Sequence, residues 1–215
     1  WVTIQQAEPI LVKGYAESEV FADQGSLTVR ISEKGDDNGE AYEKAGDSLE
    51  RVRALVDEVL GEDLEMVELS SSLSETKKLN EKGNRTNEIE YVTATRSLRV
   101  NSGKVEDLDR LSRKLYDLNG EGIRLTLSGP DFFVSNLDEV KIDLMKRATK
   151  NGRDRAEIMA KSSGEKLGSL VSARQGVIQI TKPNSTRTSS YGIYDTETIE
   201  KVVKLVVTLE FKIGG

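Results

Sequence analysis

Histidine and cysteine are absent from the 215 residues, and proline occurs only 3 times. Without imidazole or thiolate there is no zinc site of the usual kind and no Cys or Ser–His nucleophile system. Haem and iron–sulfur ligation and disulfides go the same way. What chemistry remains belongs to carboxylates, lysines, tyrosines or the backbone. Long hydrophobic runs are missing too, and no stretch approaches the ~20 apolar residues of a membrane span. Charge of both signs is present: 31 Lys plus Arg against 37 Asp plus Glu leave a net charge of −6. That balance argues against nonspecific binding to nucleic acid or anionic membranes, which needs a basic field. A chain 36% hydrophobic and 32% charged is globular in composition, and its length fits one large domain or two small lobes. The first residues, WVTIQQAEP, carry no initiator methionine. A chain trimmed at a convenient point reads this way, and so does one whose signal peptide or membrane anchor has been removed.

The patterning predicts an α+β fold. Ile10 to Lys34 read as two strands around a turn at Ala22–Gly25, with Leu27, Val29 and Ile31 alternating against Thr28, Arg30 and Ser32. Ala41, Ala45, Leu49, Val52, Val56 and Leu60 form a helical stripe that ends at Gly61. Two long strands, about 65–78 and 87–100, flank a hairpin turn at 80–84. A second half follows. Leu108, Leu111, Leu115 and Leu118 mark a helix, and Ile123, Leu125 and Leu127 a strand before a turn at 128–131. Asn136 and Glu139, at capping-box spacing, open a long helix to about Ser162. The last strands are 170–181 and 199–213, interrupted by a polar loop over 182–198. The order, roughly ββαββ followed by αβαββ, predicts antiparallel sheets packed with helices. One domain is expected over 10–213, with lobes at about 10–101 and 104–213, preceded by an extension over 1–9.

No constellation rises to catalysis, metal or cofactor binding. The acidic run at 35–40 fails the register of a calcium loop and is explained by helix capping. The serine–lysine pairs at 74/77 and 163/166 lack the surroundings that such a nucleophile needs. Neither a dinucleotide fingerprint nor a Walker loop occurs. On the long helix, Lys146, Lys150 and Arg153 form a basic row that reads as a solvated face. Asp143–Arg147 and Glu157–Lys161 are expected ion pairs at i, i+4. Ala148, Gly152, Ala156 and Ala160 make a small-residue row suited to close packing. Tyr191 and Tyr194 in the polar loop are candidate contact residues, although the plainer expectation is that they fold back to pin it.

The segments VKGYAESEVFAD, LDEVKIDLMKRATKNGRDRAEIMAKSSGEKLGSLVSARQGVIQI and SSYGIYDTETIEKVVKLVVTLEFKI, in that order, resemble the SIMPL-domain (DUF541) family. The resemblance carries over structural positions: Gly14 and Ala16 in the first strand, and Ala148, Ala156 and Ala160 along the helix. It also carries Gly164 and Gly168 at the helix exit and 176–180 in the penultimate strand. Gly152 stands where alanine is usual. The resemblance implies an exported protein, periplasmic or anchored through a removed N-terminal segment. It implies kinship with oxidative-stress-defence factors and a periplasmic immunogenic antigen. A homo-oligomer without catalytic motif or cofactor is expected. The protein partner is left unidentified, and no nucleic-acid partner is implied. The reading is a non-enzymatic protein acting by self-assembly or envelope contacts. The alternative is a small-molecule or peptide-binding module using a groove between lobes and the 182–198 loop.

Overall fold

The computed structural model describes residues 9–214, so the expectation for the extension at 1–9 falls almost wholly outside the described residues. Within them the chain forms two compact units. One is continuous, from Ala22 to Phe133; the other joins the chain up to Phe21 with the chain from Val134 onward. The division therefore differs from the expected lobes at 10–101 and 104–213. Strand pairing explains why. Strands β1 (Ile10–Phe21) and β2 (Gln24–Gly35) are successive in sequence but enter different sheets, so the turn between them is a crossing point and not a hairpin.

In the continuous unit, β2 is followed by α1 (Asn38–Leu60), β3 (Glu65–Glu68), β4 (Ser72–Leu79), β5 (Arg85–Ser102), α2 (Val105–Gly120) and β6 (Leu125–Phe133). The sheet order is β3-β5-β2-β6, with β4 also on β5 and all pairs antiparallel. Because β3 and β4 are two pieces of one strand along β5, the unit is a βαββαβ arrangement. Leu27, Val29 and Ile31 of β2 are fully buried, as are the α1 stripe and Leu108, Leu111 and Leu115 of α2. Each such valine, leucine or isoleucine side chain contributes about 1.5–3 kcal/mol by leaving water. Asp37 caps α1 by accepting from the Glu40 N–H (2.9 Å), while the Glu40 carboxylate accepts from the Asp36 N–H (2.6 Å). This reciprocal cap accounts for the acidic run. The segment expected to turn at 128–131 lies inside β6, where Gly129 (φ 95°) and a register shift opposite Ser26/Thr28 absorb the bend as a bulge.

In the second unit, β1 pairs with β10 (Glu200–Ile213) over its whole length. The other side of β10 receives β7 (Leu167–Gln175) and then β8 (Gln179–Thr181). The two-residue β9 (Ile193–Tyr194) adds to β8 in parallel. Helix α3 (Leu137–Ser162) runs unbroken through Gly152 and covers β1 and β10. Its small-residue row is the buried one. A methyl group on Gly14 would sit 2.0 Å from the Ala148 carbonyl oxygen, so only glycine lets strand and helix backbones meet here. Asn136 precedes α3 but its side chain makes no capping bond; its carbonyl accepts from the Glu139 and Val140 N–H groups. Of the expected ion pairs Asp143–Arg147 forms, whereas Glu157 pairs with Arg153.

Candidate functional site

The two sheets end in outer strands, and each strand treats its unpaired backbone differently. Along β1, three side chains one helical turn apart on α3 take up the free groups. Arg155 donates to the Lys13 carbonyl (3.3 Å), Asn151 accepts from the Tyr15 N–H (3.0 Å), and Arg147 donates twice to the Glu17 carbonyl (3.0 Å). Arg147 is itself held by Asp143 (2.8 Å). A helix spacing of four residues thus reads out a strand spacing of two, and the middle of that edge is closed. In the other sheet, β6 is interrupted by its bulge and by Pro130, which has no N–H to offer. Strand β4 is guarded by charge, carrying Glu75, Lys77 and Lys78. Strand β7 has no such device: Leu167 to Ala173 is uncharged, and Leu170 and Val171 are 49% and 52% exposed. Register shifts along β7 leave Ser172–Gln175 as its regular part. On α3, exposed Ile142 and Met145 line a shallow cavity of about 550 Å³ together with Lys146, Thr149, Lys150 and Arg153. The basic row therefore borders an apolar strip, with Lys150 and Arg153 paired to Asp154 and Glu157.

The polar loop between Thr181 and Glu200 is tethered at several points. Lys201, 0% exposed, donates to the Asp195 carbonyl (2.7 Å), to the Asp195 carboxylate (3.3 Å) and to the Thr198 carbonyl. Burial pushes the Asp195 carboxyl up. The Thr198 hydroxyl and N–H together with the Lys201 ammonium outweigh that and hold it below the usual range. The Gln179 amide bonds Ser189 in both directions, the Asp195 N–H reaches the Ile180 carbonyl (2.9 Å), and Lys204 donates to the Ser185 carbonyl (2.6 Å). Gly192 (φ 89°) is pressed against Val177 and the Ile178 carbonyl, where a side chain would not fit. Between the loop's limbs lies a cavity of about 270 Å³.

Tyr191, 96% exposed at the loop's tip, does not fold back onto it, whereas Tyr194, 44% exposed, sits in β9 where its backbone pairs with Ile180; the buried lysine holds the base of the loop. Both tyrosines line a second cavity of about 500 Å³ with Leu137, Val177, Ile178 and Ile180. Of the resemblance-derived positions, Gly14, Ala148 and Gly152 meet at the α3–β1 contact, Ala156 is buried on the same face of α3, Gly164 follows the helix and Gly168 lies in β7. The perturbed carboxylates of Glu40, Glu68 and Asp195 are all lowered. For Glu68 the chief cause is Arg96, which donates to it, with Arg53 adding its charge. Among the described residues no group of acidic side chains is arranged to hold a metal, and no helix is long and apolar enough to cross a membrane.

A family model described as SIMPL, a protein of unknown function (DUF541), matches residues 10–210. No curated protein matches the chain. Among solved structures it is similar to a candidate amidohydrolase/peptidase from Burkholderia cenocepacia (11% identity, TM-score 0.34, covering 54% of this chain and 30% of that one). A hydantoinase/carbamoylase family amidase from Burkholderia ambifaria is comparable (12%, TM-score 0.32, 52% and 30%). An uncharacterised conserved protein from Listeria innocua aligns over 89% of this chain and 91% of its own, at 13% identity and TM-score 0.23. The chain thus spans under a third of the two Burkholderia proteins, and likeness at these scores carries no argument about activity.

Proposed function

Since the chain belongs to the SIMPL family, we propose that it is a non-enzymatic protein that works by associating with further copies of itself at the cell envelope, outside the cytoplasm, in tolerance of stress. The observation that carries the assembly reading is β7: among the described residues it is the one long outer strand that is neither capped, nor proline-bearing, nor charged over most of its length, and it holds Leu170 and Val171 half in water. Unguarded strand edges and exposed apolar side chains are what a second chain pairs with. The non-catalytic reading is supported by the bonding of Glu68 and Asp195, whose carboxylates are held ionised by Arg96 and by Thr198 and Lys201, which suits structural ion pairs and not a general acid. Location and stress role rest on the family resemblance. Light scattering across a concentration series tests the assembly. The wild type associates, and Leu170→Lys/Val171→Lys, with unchanged circular dichroism, dissociates. A wild type that stays monomeric throughout under near-physiological conditions overturns it. Fractionating the native cells tests the location.

A further inference from the structure

The cavity between the limbs of the 182–198 loop has the charge and shape of a receptor for a small anion. Its mouth carries Lys182 and Arg187, close enough that the Arg187 charge opposes the upward pull of Glu197 on the Lys182 ammonium. Lys182 is paired with Glu197, which donates nothing but accepts its ammonium (2.5 Å). Arg187 has only its backbone N–H engaged, by the Ser185 hydroxyl (3.3 Å), and no carboxylate among the described residues meets its guanidinium. Lys201 stands behind the wall at Asp195, and Lys204 at Ser185. The lining's two carboxylates, Asp195 and Glu197, are thus matched by its two cations, Lys182 and Arg187, and the two lysines behind the wall add positive charge beyond that, in a chain whose net charge is −6. Local charge of the sign opposite to the whole is what concentrates an anion.

The floor adds a second, independent feature. Thr181 is 2% exposed, and its hydroxyl is the buried side-chain polar atom that has no hydrogen-bond partner among the described residues. An unpaired buried hydroxyl is unfavourable, so it calls for a reason. The loop around it is not slack, since a fully buried lysine and a doubly bonded glutamine hold it in place. A preformed concavity with a few convergent polar groups is the usual form of a small-ligand site.

We propose that this cavity binds a small ligand through an oxyanion group, carboxylate or phosphate, which takes the fork of Arg187 and, as the limbs ease apart, the hydroxyl of Thr181. A guanidinium offers two parallel donors matched to either oxyanion. At about 270 Å³ the cavity admits a compact ligand and excludes a polymer except by its end. Glu197 competes with the ligand for Lys182, so the site has a built-in rival carboxylate.

Calorimetric titration with sodium phosphate and with sodium succinate, at ionic strength held constant by sodium chloride, tests this. One saturable site per chain is expected for at least one of the two, and which of them binds identifies the oxyanion. Arg187→Ala weakens it tenfold or more, and Glu197→Gln tightens it several-fold by releasing Lys182. Thr181→Val weakens it while melting no lower than wild type, because the hydroxyl it removes has no partner to lose. Absence of saturable heat with both anions overturns the proposal. So does equal affinity in the wild type and Arg187→Ala, which means an adventitious ion only. None of these substitutions touches β7, so the oligomer distribution stays that of the wild type whatever the titration returns.

Discussion

Lys201 illustrates how a single side chain decides what a loop does. Strand β10 alternates, and Lys201 shares parity with Val203, Leu205, Val207, Leu209 and Phe211, all of them buried. Its burial was therefore legible in the sequence, from its place at the head of an apolar row; its partners were not, because Asp195 and Thr198 belong to a loop with no period to read. The same gap hid the cavity and made Tyr191 look like the natural pin. Removing one member of a buried pair costs about 3–5 kcal/mol. Lys201→Met is expected to lose that much at pH 7, measured by urea denaturation. The loss shrinks in acid, since protonating the stranded Asp195 removes the uncompensated charge. Tyr15 gives a second readout. Burial, the hydrogen bond it donates to Glu17 and the Glu17 charge push its pKa up to about 12. A proton held more tightly in the folded state stabilises fully below the unfolded value near 10 and stops doing so between 10 and 12. Ultraviolet titration of the tyrosines is expected to find this late component, and Glu17→Gln to move it down.

Elements were more legible than their partners. The helices and most strands follow the apolar periodicity, because burial on one face imposes it. What periodicity does not encode is which strand lies beside which, and so the turn after Phe21 read as a hairpin. The small-residue row on α3 did carry tertiary information. A methyl at Gly14 meets carbonyl and amide backbone of α3, which cannot move aside, so Gly14→Ala is expected to cost about 3 kcal/mol, at the upper end for overpacking. At Gly152 the nearest atom is a side-chain tip, that of the buried Leu209 (2.7 Å), with the Gly14 backbone beyond it at 3.2 and 3.3 Å, so the crowding is milder than at Gly14 and is partly offset by about 1 kcal/mol of helix propensity. Thermal melts should rank Gly152→Ala well above Gly14→Ala. The polar side of the same helix closes β1. Replacing Arg147, Asn151 and Arg155 together by alanine leaves three edge groups open. The triple variant is expected to keep its circular dichroism but to associate at concentrations where the wild type does not. Unchanged light scattering would mean that the row does not guard the edge.

At the scale of the molecule, one unit is an insertion in the other. The Asp23 N–H bonds the Phe133 carbonyl (3.0 Å), and Gln24 pairs with Phe133, so the inserted chain leaves and returns at one place. Such a segment closes its own sheet and owns its own core, and nothing in its hydrogen-bond register depends on strands outside it. A fragment from Ala22 to Phe133 is accordingly expected to fold alone, with one cooperative urea transition and a stability of about 5–10 kcal/mol. The complementary chain, with Phe21 joined to Val134 by a short Gly-Ser linker, should also fold, because the junction it must bridge is already narrow. Strand β1 reaches β10 only across the whole insertion, which makes that pairing the costliest contact to close in the intact chain. Shortening it therefore gives a second expectation: the linked form refolds faster than the corresponding unit of the full chain after a denaturant jump. A fragment without a cooperative transition would mean that the two cores are stable only in each other's presence.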